Sequence, residues 1–312
     1  MATSWENTLR LSIVHFMLYP DTQSGEGPIL ETVTRLADDD FLSVLEVTWI
    51  KDRSVRRAVR SIAENSHVSL AYGAQPVLLS QKLDLNSLDD SERKKAVNQV
   101  KSCVDEAAEL GASRLALLSG PDPGDAKRSD ATRALVDSLR ELCAYGEERH
   151  VAIVMETFDR DVEKKCLSGP AHEAAVLART IRKEYKDFGI MYDMAHAPLL
   201  NEDPRKGLTL LRNYLVHIHV GNCVKVAGHP AYGDKHPRFG IDGGEHDVSD
   251  LVRFLRILFD IGYLGGRKRT ADELPIVGFE VRPLPGERPE SVLASTKRVW
   301  REAWAKLQQT KR

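Results

Sequence analysis

The stretch VAIVMETF (151–158) is an apolar run that reaches a carboxylate, Glu156, near its end. Three later runs share this form: GIMYDMA (189–195) with Asp193, VHIHVG (216–221) with His219 and IVGFEVR (276–282) with Glu280. Carboxylate and imidazole groups rarely end a buried apolar strand unless a partner there needs them. The four runs therefore predict strands of one parallel sheet whose ends meet at one polar site. A site of this composition is typical of a metal enzyme.

Four further apolar runs precede this group along the chain. They lie at 11–18, 41–49, 68–74 and 113–119. Segments in which apolar residues recur at helical spacing separate the runs. They lie at 52–66, 91–112, 129–149, 170–185, 204–215, 247–263 and 289–307. Eight strands that alternate with helices in 312 residues favour a closed (β/α)8 barrel over an open sheet. We therefore predict an α/β fold, a TIM barrel, with a single domain over residues 1–312.

The composition disfavours several classes of protein. The chain is 42% hydrophobic and 29% charged with a net charge of −2, so no basic surface for nucleic acid or an anionic membrane is expected. No apolar run has the ~18 residues that a membrane-spanning helix needs. The N-terminus lacks the basic and apolar regions of a signal peptide, and the four cysteines show no CxxC pairing. These features predict a reduced, cytoplasmic protein.

One loop is unusually long for a compact domain. The segment NCVKVAGHPAYGDKHPRFGIDGGEH (222–246) follows the seventh predicted strand and is rich in Gly, Pro, His and charged residues. Long loops in compact domains commonly form lids or binding loops. In a TIM barrel, the loops after the strands build the active site. This enlarged loop is therefore predicted to contribute to substrate recognition.

The four strand-end residues have the composition of a hard metal site. Three carboxylates and one imidazole, from Glu156, Asp193, His219 and Glu280, favour one divalent ion with a preference for oxygen ligands. Mn²⁺ fits this set best, and Mg²⁺, Co²⁺ and Zn²⁺ are the alternatives. No dinucleotide-binding glycine motif or Walker motif is present to indicate another cofactor.

The order Glu…Asp-x-x-His…His-x-His…Glu resembles that of the xylose-isomerase-like TIM barrels. This family includes ketose 3-epimerases, inosose dehydratase, hydroxypyruvate isomerase and endonuclease IV. The segments that carry the resemblance are METFDRD, YDMAHA, VHIHVGN and GFEVRP, all after about residue 150. The resemblance implies that Glu156 and Glu280 act as an acid/base pair and also bind the metal. Asp193 and His219 would complete the metal shell.

Eight further residues are predicted to contact substrate, partly from their positions and partly from the resemblance. They are Glu46, His196, His217, Lys225, Asp234, His236, Arg238 and Arg282. His217 shares a strand face with His219, and Arg282 shares one with Glu280, because alternate residues of a strand point the same way. A packed, indirect role remains open for His217 and an ion pair for Arg282. Lys225 stands where the epimerases place a basic substrate-binding residue.

His196, Asp234 and His236 also allow a second hypothesis. In endonuclease IV, an Asp-x-His pair and the histidine of Asp-x-x-His hold an additional zinc. A second metal site at these three residues is therefore a hypothesis for this chain. The other extra-zinc histidines of that enzyme have no counterpart after the third and fourth predicted strands.

The resemblance implies a divalent-metal-dependent isomerase or epimerase that moves a proton through an enediolate of a sugar or polyol. A lyase or dehydratase on a keto-sugar, a keto-inositol or a 3-keto-glycoside is the alternative, because one such site serves both outcomes. A DNA repair nuclease and a non-catalytic sugar-binding barrel are less favoured. The expected partner is a small-molecule substrate. A homo-oligomer, or a partner subunit for the lyase, is a further expectation by analogy.

Overall fold

The computed structural model describes residues 4–266, 270 and 273–309, and it contains a closed parallel barrel. Its strands are β1 (Arg10–Val14), β2 (Val44–Val47), β3 (Ser69–Gly73), β4 (Arg114–Leu117), β5 (Ala152–Glu156), β6 (Gly189–Asp193), β7 (Leu215–Gly221) and β8 (Ile276–Glu280). Each strand pairs in parallel with its sequence neighbours, and β8 pairs with β1 to close the ring. The fold is therefore the predicted single-domain (β/α)8 TIM barrel.

Helices surround the barrel and occupy several of the loops above it. They are α1 (His15–Leu18), α2 (Ile29–Ala37), α3 (Arg53–Asn65), α4 (Gln75–Ser80), α5 (Asp90–Leu110), α6 (Asp125–Glu147), α7 (Ala171–Ile181), α8 (His196–Leu199), α9 (Pro204–Leu211), α10 (Val248–Asp260) and α11 (Pro289–Gln309). Helix α5 ends at Gly111, which has a left-handed backbone that glycine adopts without strain. An Asp247–Asp250 capping box starts α10.

The largest departure from the predicted elements is at the first strand. The apolar run at 11–18 was expected to be one strand, but β1 ends at Val14 and residues 15–18 form α1. A continuous apolar run does not distinguish a buried strand from a buried helical turn. Helix α2 was not among the predicted helices, whereas β6, β7 and β8 begin within one residue of their predicted starts.

The strand register places the polar strand ends at one rim of the barrel. Asp193 is the direct register partner of His219, and Glu280 is the partner of Gly221. In parallel strands all carboxyl ends lie at the same edge, so these groups meet at the C-terminal rim. The loop at 222–246 rises from the same rim, between β7 and α10. The core between strands and outer helices is apolar and includes Trp300, fully buried on α11.

Candidate metal centre

Four buried polar atoms converge at the C-terminal rim. They are Glu156 Oε1, Asp193 Oδ2, His219 Nδ1 and Glu280 Oε2. The candidate ligand atoms of these residues all lie within 4.8 Å of one another. None of the four atoms makes a well-aligned hydrogen bond among the described residues, although His219 Nδ1 stands at ion-pair distance from Glu280 Oε2. Because an unpaired buried polar atom costs free energy, such a group needs a partner from outside the chain.

The spacing of the four atoms fits ligands around one cation. His219 Nδ1 lies 2.7 Å from Glu280 Oε2, 3.7 Å from Glu156 Oε1 and 3.9 Å from Asp193 Oδ2. Ligands that each stand ~2.1 Å from one metal ion are separated by roughly 3 to 3.5 Å. Small movements toward a common ion would therefore complete a coordination shell. The four residues predicted from the strand ends are the ones that the fold brings together.

Glu46 fixes the orientation of His219. Its Oε2 accepts a hydrogen bond from His219 Nε2 at 2.9 Å, and its Oε1 accepts from His217 Nε2 at 3.0 Å and from Ser12 Oγ at 2.5 Å. With Nε2 donating to Glu46, the neutral ring of His219 presents the lone pair of Nδ1 to the cluster. His217 therefore lies behind the cluster, in contact with Glu46, and does not line the cavity above it.

The electrostatics of the cluster show a need for positive charge. Burial alone would lower the pKa of His219, but Glu46 and Glu280 raise it well above its usual value. Burial raises the pKa of Asp193. Burial would also raise the pKa of Glu280, whereas His236 and His219 lower it. The raised pKa of His219 and the lowered pKa of Glu280 show that imidazole and carboxylate stabilise each other's charged forms here, and a divalent cation would compensate the same carboxylates.

A second charged group lies beside the first and has Asp234 at its centre. Asp234 Oδ1 accepts from His236 Nε2 at 2.7 Å and from His196 Nε2 at 3.1 Å, while Oδ2 contacts Lys164 Nζ at 2.9 Å. His196 Nδ1 donates to Thr157 O at 2.7 Å. Burial would lower the pKa of His196, but Asp234 and Asp193 raise it, which agrees with donation from both ring nitrogens.

These contacts bear on the hypothesis of a second metal ion. Candidate ligand atoms of Asp193, His196 and His236 do lie within 4.8 Å of one another. However, both ring nitrogens of His196 and both carboxylate oxygens of Asp234 already have partners. Lys164 supplies a fixed positive charge next to Asp234. His196 and Asp234 are therefore paired within the chain, whereas Nδ1 of His236 has no hydrogen-bond partner among the described residues.

A cavity of about 900 Å³ opens above the strand-end cluster. Among the predicted substrate-binding residues, those that line it are Glu46, Asp234, His236 and Arg282. His196 is buried beneath it, packed against the Phe158 ring at a centroid distance of 4.5 Å. The cavity thus joins the metal-type cluster to several hydrogen-bonding groups.

Two further predicted substrate contacts lie outside the described lining of the cavity, as His196 and His217 do. Lys225 is exposed, and its Nζ donates to Asn201 Oδ1 at 2.7 Å. Arg238 pairs with Glu287 at 3.1 Å. Neither residue is among the described residues that line the cavity. The loop at 222–246 instead contributes Pro230, Lys235 and the two predicted residues Asp234 and His236. The path of the loop backbone, and not the number of charged residues in the loop, determines which of its side chains reach the cavity.

Among the cavity residues that were not predicted from sequence, two make polar contacts with the candidate site. Gln75, at the start of α4, donates from Nε2 to Glu156 Oε2 at 2.7 Å, and its buried Oε1 has no partner within the described chain. Lys164 lies in the loop after β5, where the carboxylate of the fully buried Asp159 accepts from three successive backbone amides, at 162–164. The position of Gln75 directly after a predicted strand could have indicated, from the sequence, that it contributes to the site. No sequence feature indicated the same for Lys164, because its loop has no periodic pattern.

A closed barrel with a buried carboxylate–imidazole cluster at its C-terminal rim defines the class: a TIM barrel with a candidate metal centre. The sequence matches the family model described as "Xylose isomerase-like TIM barrel" over residues 37–266. The chain belongs to this family. No curated protein matches the sequence.

Solved structures of similar fold agree with this assignment. A D-tagatose 3-epimerase-like protein has a TM-score of 0.72 and 16% identity, covering 97% of this chain and all of that chain. An L-ribulose 3-epimerase has a TM-score of 0.72 and 13% identity, covering 97% of both chains. The IOLI protein, solved with a zinc atom bound, has a TM-score of 0.68 and 13% identity, covering 96% of this chain and 99% of its own. At these identities the likeness shows a shared fold.

The described part of the chain contains no helix that is both long and apolar enough to cross a membrane. All four cysteines are buried and unbridged.

Proposed function

We propose that this protein is a divalent-metal-dependent isomerase or epimerase of a sugar or polyol. The observation that carries the proposal is the convergence of four buried ligand atoms, two of them from glutamates, at the base of one cavity that three of the four residues line. The epimerases among the structural neighbours, by name a tagatose-type and a ribulose-type enzyme, support the substrate class. A purely binding barrel would not need two glutamates at one cation site.

Glu156, Asp193, His219 and Glu280 are the residues proposed to hold the metal. Mn²⁺ is the favoured ion for this oxygen-rich set, with Mg²⁺, Co²⁺ and Zn²⁺ as alternatives. The neighbour with a zinc atom shows that this fold can hold a divalent metal. When bound, such an ion stabilises negative charge that develops on substrate oxygens during proton removal.

The two glutamates are proposed to move the proton. Glu156 is held by Gln75 through one carboxylate oxygen, and Glu280 has His236 Nε2 at 3.6 Å from Oε1. Both carboxylates border the cavity, which suits bases that must stand within ~3 Å of a carbon-bound proton. One glutamate would remove the proton from one face of the substrate carbon, and the other would return it to the opposite face.

Neighbouring side chains are proposed to position the substrate. The free Oε1 of Gln75 can accept a hydrogen bond from a substrate hydroxyl, and Arg282 on the opposite side can donate to an oxygen. The cluster itself is nearly inaccessible to solvent, with the Glu156 side chain 2% and the Glu280 side chain 12% exposed. Burial strengthens the electrostatic interactions that hold the substrate there.

The experiment that tests the proposal is solvent-deuterium incorporation with free ketoses, keto-inositols and 3-keto-glycosides and Mn²⁺-loaded protein. Glu156→Gln and Glu280→Gln should each reduce exchange by at least about 100-fold, because each removes a proton-transfer group. Glu245→Gln, an exposed position in the loop after β7, is the matched control and should exchange as wild type does. Near-wild-type exchange in either active-site variant would contradict the two-base mechanism.

A lyase remains the second candidate. The cavity of about 900 Å³ is the observation that favours it, since a keto-glycoside with its leaving group needs more room than a free sugar. The same exchange experiment separates the two outcomes. Deuterium incorporation with the carbon skeleton intact indicates an isomerase or epimerase, whereas release of water or an aglycone indicates a lyase.

A further inference from the structure

The cavity above the strand-end cluster has two chemically different sides. The loops after β5 and β7 supply a charged wall, made of Glu163, Lys164, Asp234, Lys235 and His236. The segments at and after the ends of β1, β3 and β8 supply an apolar wall, made of Val14, Phe16, Met17, Leu79 and Leu284. Polar residues from the same segments border this wall: Asp21, Gln23, Ser24, Gln75, Ser80 and Arg282. Strands β1 and β5 lie opposite each other in a ring of eight, so the walls face each other across the metal-type cluster.

Three residues of the apolar wall do not belong to the core of the protein. Val14, Phe16 and Met17 form a buried hydrophobic cluster of their own, separate from the main core. They are 1%, 6% and 9% exposed, so the apolar surface is sheltered inside the cavity mouth. Because main-core packing does not account for this cluster, its cavity-facing surface is available to a ligand.

Contacts within the chain support the apolar wall. The Phe16 ring packs against Gly73 so closely that a Cβ at Gly73 would stand 3.0 Å from two ring carbons. Gln23 Nε2 contacts Met17 Sδ at 3.7 Å. Leu79 extends the wall outward on α4, where it is 42% exposed at the mouth. Side chains that are held by such packing lose little conformational entropy when a ligand packs on them.

The size of the cavity decides what such a wall can bind. About 900 Å³ is near the upper end of the roughly 300–1,000 Å³ found for pockets that hold drug-sized ligands. A free hexose fills only a small part of that space, and the strand-end cluster and the charged wall already supply the polar contacts for it. The remaining space, beside the apolar wall, suits an apolar group attached to the sugar.

We propose that the apolar wall is a subsite for an apolar, ring-sized substituent on the substrate, so that the protein acts on a keto-glycoside, whose carbonyl permits proton removal, with an aromatic or alicyclic aglycone. The placement of the sugar end rests on the proposed function. The placement of the aglycone rests on the apolar wall alone, and a binding experiment without turnover can test it.

The test is a ¹⁹F NMR titration of the full-length protein with 4-fluorophenyl β-glycosides of glucose, galactose and xylose, with and without Mn²⁺. We expect saturable binding of at least one of them. The matching phenyl glycoside should displace it at about a tenth of the concentration that the methyl glycoside needs, because the ring buries additional apolar surface. Absence of saturable binding with all three probes, or equal displacement by the phenyl and methyl glycosides, overturns the subsite.

Substitutions in the apolar wall test where the aglycone ring binds within the cavity. Leu79→Gln and Met17→Gln should each weaken binding of the fluorophenyl glycoside about 10-fold and leave displacement by the methyl glycoside unchanged. Leu210→Gln is the matched control, since Leu210 is an exposed leucine on α9, away from the cavity. Leu79 is itself largely exposed, so its variant keeps the fold even where the Met17 variant does not. Unchanged affinity in Leu79→Gln and in folded Met17→Gln would place the ring elsewhere.

The two proposals fail in different ways. Loss of deuterium exchange with ring-selective binding intact removes the isomerase proposal and leaves the subsite. Normal exchange on free sugars, with no preference for the ring, removes the subsite and leaves the isomerase.

Discussion

The two ring nitrogens of His219 have different tasks. Nε2 donates to Glu46, while Nδ1 faces Glu156, Asp193 and Glu280. A histidine with one nitrogen held by a carboxylate has a fixed tautomer and a fixed ring plane, which is the usual arrangement behind a metal-binding imidazole. Glu46 was predicted as a substrate contact, and its bonds make it a positioning residue for His219.

Glu46→Gln is expected to weaken Mn²⁺ binding about 10- to 100-fold, because the amide is a poorer acceptor for the imidazole N–H. Isothermal titration calorimetry with Mn²⁺ measures this loss. Ser12→Ala is the graded control, since it removes one donor to Glu46 and leaves both histidine contacts in place. Wild-type affinity in Glu46→Gln would show that the contact does not position His219.

The role of Lys164, like that of Glu46, follows from a few individual contacts. Its ammonium lies between Asp234 and Glu163, at 2.9 and 3.2 Å. Burial would lower the pKa of Lys164, but the two carboxylates raise it, so the lysine stays charged. It neutralises a buried aspartate to which two histidines are also bound.

Lys164→Met is expected to lower the free energy of unfolding by about 3 kcal/mol, because it leaves the Asp234 charge buried with less compensation. Urea denaturation measures the change. Lys235→Met is the matched control, since that lysine also contacts Glu163 but is 48% exposed, and it should have little effect. The double variant Lys164→Met/Asp234→Asn should recover part of the loss, and no recovery would argue against charge as the cause.

At the scale of elements, the change from β1 to α1 shapes the cavity. By ending at Val14, the strand lets the next four residues turn, and Phe16 and Met17 reach the apolar wall. His15 is directed away from the cavity, where Nε2 donates to Thr32 Oγ1 at 2.7 Å. Burial lowers the pKa of His15 to about 4.

This histidine predicts a pH-dependent part of the stability. Between pH 6.5 and about 4, the unfolded chain binds a proton at His15 that the folded chain excludes, so the free energy of unfolding falls as the pH is lowered. In His15→Gln, the fall from pH 7 to pH 5 should be smaller than in wild type by about 2 kcal/mol. Urea denaturation at both pH values measures it. His172→Gln, at an exposed position, is the control; an unchanged pH slope in His15→Gln would contradict the assignment.

Strand β8 carries a glycine, Gly278, at a position where the site leaves no room for a side chain. A Cβ at Gly278 would stand 2.4 Å from Glu46 Oε1, 2.5 Å from Ser12 Oγ and 2.9 Å from His219 Cδ2. Gly278 is the register partner of both Ser12 and His219. The glycine therefore makes room for the Glu46–His219 pair inside the barrel.

Gly278→Ala is expected to cost about 1–3 kcal/mol of stability through overpacking, and to weaken Mn²⁺ binding because Glu46 and His219 must separate. Urea denaturation and calorimetric titration with Mn²⁺ report the two effects separately. A destabilised variant with full Mn²⁺ affinity would show that the pair adapts to the added methyl group.

At the scale of the whole molecule, closure of the barrel assembles the site. Glu46 comes from β2, and its partners His217 and His219 come from β7, so they meet only across the interior of the ring. Burying several carboxylates close together lowers the free energy of unfolding of the whole protein. A cation bound there should consequently stabilise the folded protein as a unit.

Mn²⁺ at about 100 times its dissociation constant should stabilise the folded protein by about 2.7 kcal/mol. That corresponds to a rise of about 5 °C in the melting temperature, and chelation with EDTA should reverse it. Scanning calorimetry measures the shift. Asp193→Asn, which removes one proposed ligand, should lose most of the Mn²⁺-dependent increment. An equal shift in this variant would place the stabilising ion elsewhere.

The sequence by itself determined the barrel and the identity of the cluster. Apolar runs that alternate with helical segments specify a parallel sheet, and a carboxylate or imidazole at a strand end is carried to the C-terminal rim wherever the strands close. For this reason Glu156, Asp193, His219 and Glu280 were found from local pattern alone. The residues at which strands end were harder to predict, as the early end of β1 shows. A run of apolar residues only has no hydrophobic periodicity that would distinguish a strand from a helix.

Only the tertiary structure decided how the remaining residues are used. Lys225 and Arg238 have suitable chemistry but do not line the cavity, whereas Gln75, at the start of α4, and Lys164, in the loop after β5, do line it. The pairing of Glu46 with His219 joins residues 173 positions apart. Local sequence sets which face of a strand a side chain occupies, but contacts between distant loops and across the barrel depend on how the whole ring closes and how each loop folds back over it.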